Sequence, residues 1–257
     1  INGCGGDDNL DGQDGNDYIE GNEDDDILEG GTGSDTIHGN AGNDWLIGGA
    51  MVPTGPDVVD TIYGDAGDDI ILGDNGQIIS SSPVIVTLYP GGAGDNIFGG
   101  AGEDHIYGQD GYDYLEGGTG KDVIYGGAGM DTIRGNDSDD TIYGEGDHDT
   151  IFGDGGQDVI EGGGGPDSIF GGSGEDTIFG HSASGAGDDA ATDTIYGDGG
   201  VDTVHGNAGN DDIHGGTGND VHRDGDGILD GPVEVECLVV ERIRADEAMR
   251  RLVVERA

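Results

Sequence analysis

Through most of the chain an aliphatic residue returns at every ninth position, as at Leu10, Ile37, Ile106, Ile124, Ile151 and Val204, among residues that are otherwise mainly Gly, Asp, Asn and Thr. Set out in nines, residues 3–47 fall into five consecutive copies, the fourth reading GGTGSDTIH. Residues 99–179 give nine more, among them GGAGEDHIY, GGTGKDVIY, GGAGMDTIR and GGSGEDTIF, and GDGGVDTVH and GNAGNDDIH follow at 197–214. The first six positions of a copy are turn material, because repeated Gly accepts positive φ and lets backbones approach closely. The last three, commonly Thr-Ile-Tyr or Thr-Ile-Phe, favour a strand. Alternation along the strand sends the eighth position one way and the seventh and ninth the other. Strands this short cannot stand alone. The pattern therefore predicts an all-β parallel β-roll, with two copies per turn and the strands of copy n stacked on those of copy n+2 at about 4.8 Å.

The roll is expected over residues 3–222, with the register broken at 51–59, 77–90 and 181–192. The second break, QIISSSPVIVTLYP, carries an apolar β-prone run from Val84 to Leu88 that predicts an extruded hairpin or an extra strand. The copy after it is one residue short, which leaves the alignment of Asp95 open. Beyond Asp220 the pattern stops, and 223–257 read as an acidic turn followed by a C-terminal cap or tail. There Val233, Val235 and Cys237 alternate, whereas Ala245, Met249, Leu252 and Val253 share one helical face, with Asp246 and Glu247 four residues before Arg250 and Arg251. A short strand and helix there would cover the open end of a solenoid.

The sixth position is as restricted as the eighth. Twenty copies align on it, and all have Asp there, with only Leu, Ile or Val two residues later. A disordered Gly/Asp tract has no reason to keep such a pattern. Stacking turns into columns puts Asp104, Asp122, Asp140, Asp158 and Asp176 on one side and Asp113, Asp131, Asp149 and Asp167 on the other. Carboxylates repeated along every turn repel one another, and a hard divalent cation with six to eight oxygen ligands relieves this. Two carboxylates balance its charge, and carbonyls of the Gly-rich loop complete the shell. Magnesium, which needs a small octahedral site and keeps its waters, fits less well.

Composition supports the same reading. Lys and Arg number 8 against 56 Asp and Glu, a formal net charge of −48 that opposes compaction unless it is neutralised. If all twenty copies stacked in register, about eighteen calcium ions would reduce this to roughly −12. One buried aliphatic side chain per copy contributes on the order of 1.5 to 3 kcal/mol, against about 1 kcal/mol or more for ordering each residue. Folding is therefore expected to require the ions. The shortage of basic residues disfavours nucleic acid and anionic membrane surfaces as partners, and no apolar run is long enough for a spanning helix.

The copies quoted above resemble the RTX, or hemolysin-type, calcium-binding nonapeptide repeat. The resemblance implies a right-handed roll holding multiple calcium ions between adjacent turns. Its ligands would be the sixth-position Asp of each intact copy: Asp8, Asp17, Asp26, Asp35, Asp44, Asp69, Asp104, Asp113, Asp122, Asp131, Asp140, Asp149, Asp158, Asp167, Asp176, Asp193, Asp202 and Asp211. It further implies a secreted bacterial module, exported unfolded by type I secretion machinery and folding at the cell surface or outside the cell on meeting calcium. GNEDDDILE and GNDSDDTIY depart from the Gly pattern, and the Arg-rich tail differs from a secretion signal.

Other features carry weaker readings. Asp224, Asp226 and Asp230 in DGDGILDG have ligand-like spacing but lack the terminal Glu of an EF-hand. Position nine is often aromatic, and Tyr107, Tyr125 and Tyr143 should form one outward column with Phe152 and Phe170 in the other, either packing across strands or meeting a glycan or protein. The seven His residues form no zinc motif, most falling at outward positions, and Cys4 and Cys237 have no metal or disulfide spacing. There is no nucleophile elbow or Walker loop, so no enzymatic role is expected. A chain opening on Ile1 reads as an excerpt, which leaves open an adhesin or surface-layer segment, or the repeat part of a secreted hydrolase.

Overall fold

A computed structural model describes residues 1–51, 58–184 and 190–224. The expected C-terminal strand and helix cap, with Asp226 and Asp230, lies outside the described residues. Successive turns feed two eleven-stranded parallel sheets. The first sheet contains, in spatial and chain order, Asn2–Gly5, Tyr18–Glu23, Thr36–Ala41, Thr61–Ala66, Asn96–Ala101, Tyr114–Thr119, Thr132–Asp137, Thr150–Gly155, Ser168–Ser173, Thr194–Gly199 and Asp212–His214. The second contains Asn9–Asp11, Ile27–Glu29, Trp45–Ile47, Ile70–Leu72, His105–Asp110, Val123–Ala128, Thr141–Gly146, Val159–Gly164, Thr177–Phe179, Thr203–Asn207 and Val221–Asp224. We call the loops running from the first sheet to the second outbound, and those running back return loops.

Many strands are twice the expected length. In Thr132–Asp137, for example, the ladder continues from Thr-Ile-Arg through Gly135 into the start of the next copy, where Asn136 pairs with Asp154 and Asp137 with Gly155. Glycine-rich positions join the sheet because their backbone groups must also be paired once buried. Register is kept by identical neighbours, as Ile133 on Ile151 and Ile151 on Ile169. The aliphatic residues of both sheets, from Ile19 and Leu28 to Ile195 and Val204, meet in one narrow core with no exposure to solvent. That core ends on an unexpected residue: His222 takes the eighth position, paired with Val204.

The breaks in register do not break the stack. Thr61 pairs with Thr36 and with Asn96, and Thr194 pairs with Ser168, so the strand after each insertion returns to its place in the stack. Residues 77–90 form the expected hairpin, from Gly76–Ser81 and Val84–Leu88, antiparallel with a bulge between Ile85 and Val86. It folds onto the outer face of the second sheet, where Ile78 joins Ile47, Ile70 and Leu72, and Trp45, Met51, Val84, Val86 and Tyr107 pack around them. A second small core thus lies outside the roll.

Candidate metal sites

Each loop closes on its Asp because that residue fastens one turn to the next. Its backbone N–H donates to Oδ1 of the Asp one turn further on, at distances from 2.6 Å for Asp60 to Asp95 to 3.1 Å for Asp202 to Asp220. Asp104 to Asp122, Asp122 to Asp140 and Asp140 to Asp158 are typical of the outbound side. Asp113 to Asp131 and Asp131 to Asp149 are typical of the return side.

Two unbroken columns result. The outbound column runs Asp8, Asp26, Asp44, Asp69, Asp104, Asp122, Asp140, Asp158, Asp176, Asp202 and Asp220. The return column runs Asp17, Asp35, Asp60, Asp95, Asp113, Asp131, Asp149, Asp167, Asp193 and Asp211. All eighteen positions singled out from sequence fall in these columns, and Asp60, Asp95 and Asp220 join them. Asp60 stands before Thr61-Ile62-Tyr63 and Asp95 before Asn96-Ile97-Phe98, so the strand that follows marks the position even where the loop ahead is irregular.

The second carboxylate oxygen is what makes the columns chemically unusual. Oδ2 of Asp104, Asp113, Asp122, Asp131, Asp140 and Asp149 is buried with no hydrogen-bond partner. A buried anionic oxygen without a donor is costly. Burial raises the pKa of these groups, the N–H bond lowers it, and like-charged neighbours generally raise it further: Asp104 and Asp113 to about 7, Asp140 and Asp149 to about 8, and Asp95 to about 9.

The Gly that opens each copy borders this oxygen. A Cβ on Gly117 would lie 2.4 Å from Oδ2 of Asp122 and 2.9 Å from the Gly135 carbonyl oxygen; on Gly126 it would lie 2.7 Å from both Asp131 Oδ2 and the Gly144 carbonyl. A carboxylate oxygen and the next turn's carbonyl thus converge on space that only Gly leaves open. Among the described residues no three His, Cys, Asp or Glu side chains group around a point. With one carboxylate per turn in each column, any cation here would take most of its ligands from the backbone. Hard oxygens, buried anionic charge and close-set carbonyls fit calcium.

The outward residues make a different pattern. Tyr107, Tyr125 and Tyr143 stack at 4.9 Å, nearly parallel, and Phe152, Phe170, Tyr196 and His214 continue in the same way on the first sheet. Each interior ring of these ladders has its faces covered by the rings on either side. This is the cross-strand packing expected from sequence, and it leaves mainly edges outward. Arg134 lies 4.4 Å from the Phe152 ring centre and pairs with Asp154 at 2.9 Å.

Comparison with known proteins agrees with this geometry. The family model described as the RTX calcium-binding nonapeptide repeat (4 copies) matches residues 2–37, 20–50, 59–77, 89–124, 125–160, 152–189 and 188–221. No curated protein matches the chain. With paired Asp columns, Gly-framed carbonyls and repeat matches over most of its length, the chain belongs to the RTX calcium-binding nonapeptide repeat family.

Proposed function

We propose that the chain is a binding and structural module, not a catalyst, and that it folds when multiple calcium ions bind between its turns outside the cell. The observation that carries this reading is the run of buried Asp side chains, each bonded through Oδ1 to the preceding turn, many with an unpartnered Oδ2. Both columns would serve as ligands, the eighteen Asp named from sequence together with Asp60, Asp95 and Asp220, joined by carbonyls of the Gly-rich loops. Calcium would supply the positive charge that lets these carboxylates remain ionised at adjacent levels, and so cross-link one turn to the next. Export by type I machinery of an unfolded chain is consistent with this. At low calcium, a net charge of −48 and so thin a core would keep the chain extended.

Circular dichroism tests the reading directly. In EDTA the spectrum should be largely that of an unfolded chain, with β signal appearing cooperatively as calcium is raised to millimolar levels, and magnesium should achieve much less. A spectrum indifferent to EDTA would falsify coupled folding.

A further inference from the structure

The two loop edges of the roll differ in kind. All three insertions fall on return loops: between Trp45–Ile47 and Thr61–Ala66, between Ile70–Leu72 and Asn96–Ala101, and between Thr177–Phe179 and Thr194–Gly199. Outbound loops keep the six-residue span from Gly to Asp throughout, from Gly3–Asp8 to Gly215–Asp220. The exposed residue just before each column Asp differs as well. On the outbound edge it is often acidic, as at Asp7, Asp25, Asp68, Glu103, Asp139 and Glu175. On the return edge it is never acidic, and includes Val59, Tyr112, Met130 and Pro166.

Uncharged residues line up on part of this edge. Four successive return loops end at Asp60, Asp95, Asp113 and Asp131, which puts Val59, Gly94, Tyr112 and Met130 at the same point on successive levels. At about 4.8 Å per level this strip is roughly 15 Å long. Val59 is 47 % exposed, Tyr112 70 % and Met130 49 %. Beside Tyr112 a shallow groove is lined by Gly94, Gly111, Ala128, Gly129 and Asp147. Exposed apolar side chains presented on loops mark a binding face, and Tyr and Met are favoured at the centres of protein interfaces.

We propose that the return edge is a docking surface for another polypeptide, one that presents apolar side chains framed by Arg or Lys. Charge selects that occupant. The row Val59, Gly94, Tyr112 and Met130 is uncharged on a strongly acidic molecule, with Asp110 and Asp147 in return loops of the same stretch, so a basic rim around an apolar centre complements it. A second copy would bring the same acidic surface, still net negative with calcium bound, and an anionic bilayer would be repelled.

The test uses the full calcium-loaded chain and labelled short peptides, read by fluorescence anisotropy at physiological salt. A peptide alternating Leu and Arg should bind, and the double variant Tyr112→Ser/Met130→Ser should weaken it by about tenfold or more. Val201→Ser, which changes an exposed apolar residue on the outbound edge, should not. Both variants should keep the parent's calcium-dependent circular dichroism, which separates loss of docking from loss of folding. Five results would overturn the proposal: no peptide binding; equal binding of a Ser–Arg peptide, which needs charge alone; equal weakening by Val201→Ser; self-association or vesicle binding abolished by the double variant; or, with Cys4 replaced by Ser, ready intramolecular cross-linking of Tyr112→Cys to Cys237, which would make the chain's own tail the occupant.

Discussion

The backbone N–H of Asp104 donates to Oδ1 of Asp122 at 2.9 Å, and the N–H of Asp122 donates in turn to Asp140 at 2.9 Å. Each carboxylate therefore has two roles: one oxygen organises the preceding turn, and the other is left for a cation. Substitutions separate them. Asp122→Asn keeps an acceptor for the Asp104 N–H but removes the charge. Asp122→Ala removes both and leaves a buried N–H unpaired, at a cost of about 1–3 kcal/mol. Calorimetric titration should show fewer calcium ions bound by either variant, with folding of Asp122→Ala needing more calcium than that of Asp122→Asn. Unchanged stoichiometry in both would remove Asp122 from the ligand set.

Protons and calcium should compete for these columns. In the calcium-free roll, burial holds Asp122 near 6, Asp140 and Asp149 near 8, and Asp95 near 9, from an ordinary value of 3.8. Because the folded values are raised, the stabilisation that comes from protonation is complete below the unfolded value and is lost as pH rises through about 6 to 9. In calcium-free buffer, β content should accordingly grow as pH is lowered through that window. Calcium affinity should rise with pH over the same range, since binding displaces protons. A calcium midpoint independent of pH from about 6 to 9 would contradict the raised values.

Much of this was legible in the sequence because the repeat states its own geometry. An aliphatic residue at position eight, such as Ile124 or Ile142, has one buried face to occupy, and an eighteen-residue turn fixes its neighbour. The Asp columns follow from the same arithmetic. The destination of the inserted residues did not. Apolar alternation in 77–90 announced strands, but Ile78 meets Ile47 and Leu72 through outward positions that the repeat alone assigns to solvent. The double duty of each Asp was also hidden, since one letter does not say which oxygen meets a backbone donor. The different characters of the two edges became readable only once the topology had sorted alternate loops onto opposite sides.

Glycine substitutions should sort by position within the copy. Gly120 has φ +131°, and an added Cβ would lie 1.6 Å from the Gly102 carbonyl oxygen of the adjacent turn. Backbone strain and the close contact together should cost Gly120→Ala about 3 kcal/mol or more. At Gly146 the nearest atom to an added Cβ is the Gly127 carbonyl oxygen, at an ordinary 3.6 Å. Gly146→Ala should change stability by less than about 0.5 kcal/mol. Thermal melts in saturating calcium distinguish the two, and equal melting temperatures would mean that adjacent turns are not packed as closely as described.

The outer core can be followed by a single reporter. Trp45 is the only tryptophan in the chain, and it packs at the margin of the Ile47, Ile70, Leu72 and Ile78 cluster. Ile78→Asp places a carboxylate in that cluster, where an unpaired charge is strongly disfavoured, so the hairpin should lift from the sheet. Trp45 emission should then shift to longer wavelength and become more easily quenched. The inner core does not involve Ile78, and the Asp columns cross this level through Asp69 to Asp104 and Asp60 to Asp95. Calcium-dependent circular dichroism should therefore stay close to that of the parent. If the change instead raised the calcium needed for folding several-fold, the hairpin would be part of the cooperative unit and not an addition to it.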